Sequence, residues 1–309
     1  MIKQSLSGNW QMREVNTNEW LPALVPGGTY TDLMAANKIP DPFDRENEKQ
    51  VQWVADRDWE YIREFEVSSD LLSEDHVGLV CYGLDTLAEV TLNGQLLGKT
   101  DNMFRTYTWE VKNALQVGQN TLSIIFRSPV AYINNRQQER KLPTMMNGGM
   151  AHLRKVQSHF GWDWGPRLPV SGIWREIELR GYITARLADV HLRQRHQDGR
   201  VTLTASAQVE TWQAGRFSLR MKLTAPNGSV QQVEAPLEVS ETGSATVNVP
   251  LSLEVESPQL WWPNGLGDQP LYQAEVMLSK DGQVLEARPF QVGLRSLALR
   301  QDPDAWGKT

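Results

Sequence analysis

Four Asn-Gly or Asp-Gly dipeptides, each flanked by runs in which apolar and polar residues alternate, constrain the fold of this chain more than any other feature. Such dipeptides favour the left-handed backbone of a two-residue turn between antiparallel strands. Alternation puts every second side chain of a strand on the same face. The sequence therefore predicts antiparallel sheets with tight hairpins at Asn93-Gly94, Asp198-Gly199, Asn227-Gly228 and Asp281-Gly282.

Helical signals are few. The segment from Thr29 to Asp32 matches a capping box that would open a helix reaching about Asn37. Ser128-Pro129 offers an N-cap followed by proline at the first position of a second helix. Two helices cannot build an eight-fold βα barrel or a dinucleotide-binding sheet, and the chain has no glycine-rich phosphate loop. We therefore expect an all-β chain without a cofactor.

The strand pattern divides the chain into two sandwiches. The first, residues 1–183, is expected to be irregular, with long loops at 41–54 and 141–172. Long loops in a compact domain are usually functional. The second, residues 184–300, has turns at regular spacing and a last strand predicted over 290–299, which is the pattern of an immunoglobulin-like sandwich.

Charge and composition exclude several classes of partner. The 309 residues carry a net charge of −6 without a Lys/Arg-rich stripe, so neither nucleic acid nor an anionic membrane is an expected partner. No apolar run approaches the roughly 20 residues of a membrane-spanning helix. The start of the chain lacks the pattern of a secretory signal, and one cysteine cannot form an internal disulfide. We therefore expect a cytoplasmic protein.

Two candidate metal sites have unsuitable spacing. The acidic run from Asp41 to Glu48 lacks the central glycine of an EF-hand loop. His152 and His159 are seven positions apart, without a cysteine or a cluster of carboxylates beside them. We expect no metal, a solvated acidic loop, and a hydrogen-bonded structural role for His159.

The densest aromatic and acidic cluster is Trp162-Asp163-Trp164, which glycine and proline residues flank in a pattern that favours a loop tip. One interpretation is sugar binding, in which the carboxylate accepts hydrogen bonds from two hydroxyls and the C–H face of the ring lies on an indole. The other is structural, with the indoles in the sandwich core and Asp163 capping a turn or paired with Arg167. The composition, with twelve tryptophans, is compatible with both.

Glycoside hydrolysis needs two carboxylates at the scissile bond. For retention they stand about 5 Å apart, and one is held protonated. The spacing of acidic residues indicates Asp163 as one candidate carboxylate and indicates no second carboxylate to pair with it. The residues alone therefore indicate a sugar-contacting β-sandwich protein without an assigned catalytic pair.

Longer motifs follow one another along the chain, almost continuously in the first domain and more loosely in the second. They are Val25-Pro26-Gly27, Tyr30-Thr31-Asp32-Leu33, Ile39-Pro40-Asp41-Pro42-Phe43, Asn47-Glu48, Val51-Gln52-Trp53, Asp58-Trp59-Glu60-Tyr61, Gly83-Leu84-Asp85-Thr86, Val90-Thr91-Leu92-Asn93-Gly94, Asp101-Asn102-Met103-Phe104-Arg105, Phe160 to Arg167, Gly172-Ile173-Trp174-Arg175, Trp261-Trp262-Pro263-Asn264-Gly265 and Gly293-Leu294-Arg295. Together they resemble the corresponding segments of the β-mannosidases of glycoside hydrolase family 2.

The resemblance implies a jelly-roll-like sugar-binding domain, an immunoglobulin-like sandwich, and then a (β/α)₈ barrel that carries two catalytic glutamates. Members of this family remove single β-linked mannose units from the non-reducing end of manno-oligosaccharides, with retention. Their Trp-Asp-Trp loop reaches over the barrel mouth. Carried over residue by residue, Asp163 becomes a ligand of the terminal mannose, Trp162 a stacking or shape contact, and Trp164 a further substrate contact.

The chain departs from the family plan where residues 301–309 stand in place of the start of a barrel. The resemblance therefore implies the non-catalytic N-terminal part of a β-mannosidase, which would act on β-mannosides together with its own C-terminal catalytic barrel. Alone, the chain is expected to hydrolyse nothing, and no catalytic residue is assigned to it. Two alternatives stay open: a free-standing carbohydrate-binding protein, and a β-galactosidase or β-glucuronidase relative with the same domain plan.

Overall fold

The chain forms two compact units, Met1–Tyr182 and Ile183–Thr309, and each is a β-sandwich. This confirms the predicted all-β fold class. A computed structural model describes residues 1–143, 149–240, 245–303 and 305–307. Parts of the predicted loop 141–172 and of the tail 301–309 therefore lie outside the described residues.

The first unit packs a four-stranded antiparallel sheet and a six-stranded antiparallel sheet around one core. Its strands are β1 (Ile2–Ser5), β2 (Gly8–Glu14), β3 (Leu21–Val25), β4 (Trp59–Val67), β5 (His76–Cys81), β6 (Leu84–Asp85), β7 (Ala88–Leu92), β8 (Gln95–Lys99), β9 (Tyr107–Glu110), β10 (Gly118–Phe126), β11 (Phe160–Trp162), β12 (Gly165–Arg167), β13 (Gly172–Ile173) and β14 (Ile177–Tyr182). The sheets have the orders β1-β14-β5-β9 and β3-β2-β4-β10-β7-β8, and the ribbons β11-β12 and β13-β6 lie beside them.

In the described part of the first unit, four short α-helices connect these strands: α1 (Thr29–Ala35), α2 (Asn47–Gln50), α3 (Ser69–Ser73) and α4 (Pro129–Glu139). The predicted cap of α4 is confirmed, because Ser128 Oγ accepts from the Ala131 amide at 3.0 Å. The predicted helix at residue 29 is present but its cap differs. Its N-cap is Gly28, whose amide donates to Thr31 Oγ1 at 3.3 Å, and the buried Asp32 serves the core instead. Single 3₁₀ turns span Gln52–Asp56, Lys112–Ala114, Met150–His152 and Gln157–His159.

The core of the first unit contains a polar group whose hydrogen bonds are satisfied. Tyr61 and Phe126 are fully buried and meet edge to face, with ring centroids 5.7 Å apart. The Tyr61 hydroxyl donates to Asp32 Oδ2 at 2.9 Å, and the Leu24 amide donates to Asp32 Oδ1 at 3.1 Å. Burial raises the pKa of Asp32, and these hydrogen bonds oppose the rise. The two bonds offset the cost of a buried carboxylate and join α1 to the large sheet.

Over its described residues, the second unit is a seven-stranded sandwich of a three-stranded and a four-stranded sheet, as expected for an immunoglobulin-like pattern. Its strands are β15 (Ala185–Gln197), β16 (Arg200–Thr211), β17 (Gly215–Thr224), β18 (Val230–Val239), β19 (Ala245–Val255), β20 (Tyr272–Lys280) and β21 (Gln283–Val292). The orders are β15-β16-β19 and β18-β17-β20-β21. The last strand therefore ends at Val292, and the prediction over 290–299 was wrong beyond that residue.

Three of the four predicted two-residue hairpins are confirmed by the strand register. Leu92 pairs with Gln95, Gln197 with Arg200, and Lys280 with Gln283. At Asn227-Gly228 a hairpin is present, but Thr224 pairs with Val230, so its loop has five residues. Pro226 accounts for the difference, since a proline has no amide to donate to a strand ladder and ends the strand early.

The helices of the described residues include none that is both long and apolar enough to cross a membrane.

Candidate functional site

The Trp-Asp-Trp segment is the tip of a tight hairpin in the first unit. Strands β11 and β12 pair in the register Phe160 with Arg167 and Trp162 with Gly165. Gly161 has a φ of +89°, and a Cβ on it would come within 3.0 Å of the Arg167 Cβ. Glycine at this position therefore permits both the backbone conformation and the close approach of the two strands.

Both indoles of the tip face solvent. The exposed fraction is 41% for Trp162 and 82% for Trp164, and their ring centroids are 5.4 Å apart at an interplanar angle of 55°. Asp163 is also exposed and makes no hydrogen bond or ion pair with any residue that the structure describes. The indoles thus do not fill the sandwich core, and Asp163 is not paired with Arg167.

A second segment fixes the hairpin from the side. Glu48 Oε1 accepts a hydrogen bond from the Arg167 amide at 2.8 Å. The Gln52 amide group donates to the Arg167 carbonyl at 2.9 Å and accepts from Arg167 Nη1 at 2.6 Å. The main chain and the side chain of Arg167 therefore both form hydrogen bonds with the segment Glu48 to Gln52, which begins at the end of the acidic loop.

The hairpin and the acidic loop form the two walls of one open cleft, with a volume of about 570 Å³. The hairpin wall consists of Phe160 to Arg167, and the loop wall of Pro42, Phe43, Arg45 and Glu48. This volume lies within the range of small-molecule sites, about 300–1,000 Å³. The expected solvated acidic loop thus contributes an aromatic and a cationic side chain to the cleft.

A buried ion pair lies at the base of the segment that carries the hairpin. Lys155 Nζ donates to Asp85 Oδ2 and to the Val170 carbonyl, both at 2.6 Å. His159 Nδ1 is buried 3.6 Å from Asp85 Oδ2 and has no hydrogen-bond partner among the described residues. The pKa of His159 is lowered to about 4, chiefly by burial and also by the Lys155 ammonium, while the Asp85 carboxylate opposes the shift.

Several of these residues were not singled out from the sequence. Glu48, Gln52 and Asp85 stand within the motifs quoted above, but no local pattern marks them as neighbours of the hairpin. Lys155 falls at the start of the resembling segment Arg154 to Arg175, but no local pattern predicts its burial, because a lysine in a loop is ordinarily exposed. Within the described ranges, no group of three His, Cys, Asp or Glu side chains is arranged to hold a metal ion.

The geometry suits the binding of a polyhydroxylated ring. An unpaired carboxylate accepts hydrogen bonds from neighbouring hydroxyls, and exposed indoles cover the apolar face of a sugar. Asp163 and Glu48 are the acidic residues on the described lining of the cleft, and one oxygen of Glu48 is bound to the Arg167 amide.

Comparison with known families matches both units. The family described as "Glycosyl hydrolase 2 galactose-binding domain-like" matches residues 10–175, and "Glycosyl hydrolases family 2" matches residues 185–295.

Among curated relatives, Beta-mannosidase B of Aspergillus clavatus is 35% identical and Beta-mannosidase of Bos taurus is 31% identical, each over 98% of this chain. The chain spans only 36% of the length of each. Among solved structures, the beta-D-mannosidase of Dictyoglomus thermophilum has a TM-score of 0.90 at 32% identity, over 100% of this chain and 38% of that one. The exo-chitosanase CsxA of Amycolatopsis orientalis shares the fold, with a TM-score of 0.70 at 18% identity. The match covers 99% of this chain and 35% of the CsxA chain.

Proposed function

The chain belongs to glycoside hydrolase family 2, and from that premise we propose that it is the non-catalytic N-terminal part of a retaining, exo-acting β-mannosidase. In this proposal the first unit supplies the hairpin Phe160 to Arg167 to the substrate pocket. A catalytic barrel in the same protein supplies the acid/base and the nucleophile. The substrates are β-mannosides and manno-oligosaccharides. A cytoplasmic location is part of the proposal and rests on the single cysteine.

One observation carries the proposal. Asp163 presents a carboxylate that has no partner among the described residues, at a hairpin tip between two indoles that are 41% and 82% exposed. Large apolar side chains are rarely left in solvent together unless they bind something. Asp163 is therefore the ligand of the terminal mannose, with Trp162 and Trp164 as its aromatic contacts. The β-mannosidase relatives support mannose as the sugar.

The test uses the full-length protein that contains this chain and an aryl β-mannoside as substrate. Asp163→Asn keeps the shape of the side chain but removes its charge, so kcat/KM should fall about 100-fold. Asp198→Asn, at an exposed hairpin turn of the second unit, is the matched control and should retain activity. Near-normal kinetics of Asp163→Asn would remove this residue from the site.

Two further measurements separate the alternatives. Residues 1–309 alone should show no turnover, and measurable hydrolysis would contradict a non-catalytic part. Titration of residues 1–309 with mannobiose should give weak binding, because half a pocket contributes few contacts. A tight isotherm that Asp163→Ala abolishes would instead favour a free-standing carbohydrate-binding protein. Preference of the full-length protein for aryl β-galactosides or β-glucuronides would favour a relative with that specificity.

A further inference from the structure

The loop wall of the cleft carries an exposed aromatic side chain and an exposed cationic side chain, and neither takes part in the role proposed for the hairpin. Phe43 is 71% exposed, and the side chain of Arg45 is 90% exposed. The one contact of the Arg45 guanidinium among the ion pairs of the described residues is a 3.9 Å approach to the exposed Asp44. An exposed aromatic ring beside a cation with unused donors is a surface for hydroxyl-bearing rings.

The conformation of this loop is held by its own hydrogen bonds. Asp41 Oδ1 accepts from the Phe43 amide at 2.9 Å, and the Asn47 side chain donates to the Asp41 carbonyl at 2.9 Å. The Phe43 ring is therefore presented on a closed turn rather than on an unrestrained loop. A surface that is ordered before binding loses less entropy when a ligand arrives.

The two walls are also fixed with respect to each other. Glu48, at the end of the acidic loop, accepts from the Arg167 amide, and Gln52 bonds to both the carbonyl and the guanidinium of the same residue. Arg167 belongs to β12, the second strand of the Trp-Asp-Trp hairpin. A ligand held at Asp163 would therefore extend toward an aromatic surface at a set position across the cleft.

We propose that Phe43 and Arg45 form a subsite for the second sugar of the substrate, the one linked to the terminal mannose. The ring of Phe43 covers the apolar face of that sugar, and Arg45 donates hydrogen bonds to its hydroxyls. The open volume of about 570 Å³ accommodates two linked hexoses across the walls. This inference rests on the proposed function, because it takes Asp163 as the contact of the first sugar.

The test compares two substrates of the full-length protein that share the terminal mannose: methyl β-mannoside, which has no second sugar, and β-1,4-linked mannobiose. Phe43→Ala should lower kcat/KM for mannobiose about tenfold and leave that for methyl β-mannoside unchanged. Arg45→Ala should show the same selectivity with a smaller loss. Phe43→Trp retains an aromatic face and should keep mannobiose activity. Phe104→Ala, another exposed phenylalanine that does not line the cleft, is the matched control.

The outcomes separate this subsite from the proposed function. Equal losses on both substrates, or no loss on either, would overturn the subsite while leaving β-mannosidase activity intact. Inactivity of the unsubstituted full-length protein on both substrates would overturn the proposed function and the subsite together. Because Phe43 is exposed, its substitution is expected to leave the fold intact. Retained cleavage of methyl β-mannoside verifies that the variant is folded.

Discussion

Lys155 Nζ lies 2.6 Å from Asp85 Oδ2, with 0% of the lysine side chain and 1% of the aspartate side chain exposed to solvent. The same ammonium donates to the Val170 carbonyl, and the Thr86 hydroxyl donates to the other carboxylate oxygen. Lys155 precedes the Trp-Asp-Trp hairpin and Val170 follows it. One buried ammonium thus joins the two ends of the segment that carries the candidate site.

Removal of this ammonium should destabilise the first unit strongly. Lys155→Met leaves the Asp85 carboxylate buried without a counter-ion, which costs about 3–5 kcal/mol in the free energy of unfolding. Urea unfolding followed by tryptophan fluorescence measures the loss. The control is Lys99→Met, whose pair with Glu89 is on the surface, with 66% of the lysine side chain exposed, and should change stability by no more than about 1 kcal/mol. Equal effects of the two substitutions would show that burial of the Lys155 pair adds nothing.

His159 should make the stability of the first unit sensitive to mild acid. Its pKa is lowered from 6.5 to about 4 in the folded protein, so between these values the unfolded chain binds a proton that the folded chain does not. The contribution of neutral His159 to the free energy of unfolding is therefore fully present above pH 6.5. It is lost as the pH falls toward 4, because the unfolded chain is then stabilised by the proton it binds.

Thermal unfolding of the wild type and His159→Gln across this pH range checks the prediction. The difference in stability between the two proteins should change with pH, because only the wild type carries this proton linkage. His191→Gln, at an exposed position, should follow the wild-type profile. Parallel curves for wild type and His159→Gln would contradict the lowered pKa.

The Glu48 carboxylate should protect the Arg167 amide from exchange with solvent. Glu48→Ala removes the acceptor of this 2.8 Å hydrogen bond, and we expect exchange of the Arg167 amide to become about tenfold faster. Glu48→Gln keeps an oxygen acceptor and should restore most of the protection. Amide exchange followed by NMR measures the rates. The control is Glu46→Ala, which removes a surface pair with Lys49; exchange as fast as in Glu48→Ala would show that the contact does not hold the hairpin.

The tryptophans should divide into two groups by their effect on stability. Trp59 is 2% exposed and its indole donates to the Val54 carbonyl at 2.9 Å, so Trp59→Ala should cost about 3–5 kcal/mol. Trp164 is 82% exposed, and Trp164→Ala should change the free energy of unfolding by about 0.5 kcal/mol or less. Urea titration of both variants measures the difference. A large loss in Trp164→Ala would assign that indole to packing instead of binding.

The sequence predictions are accurate for features that depend on residues close together in the chain, and less accurate for features that depend on distant residues. Asn93-Gly94 forms the expected two-residue turn because its backbone preference is local. At Asn227-Gly228 the neighbouring Pro226 lengthens the loop to five residues. Asp32 was expected to cap a helix, but a carboxylate that is buried finds its donors elsewhere, here on Tyr61 and Leu24.

The sequence by itself determined the sandwiches, most hairpins and the Trp162-Asp163-Trp164 tip, because alternation and turn chemistry act between residues close in the chain. Only the tertiary structure placed Glu48 on Arg167, which is 119 positions away, and Lys155 on Asp85, which is 70 positions away. Such contacts depend on how whole segments pack, and no local preference encodes them. The same packing places Phe43 of the acidic loop in the loop wall of the cleft, whose other wall carries the indoles.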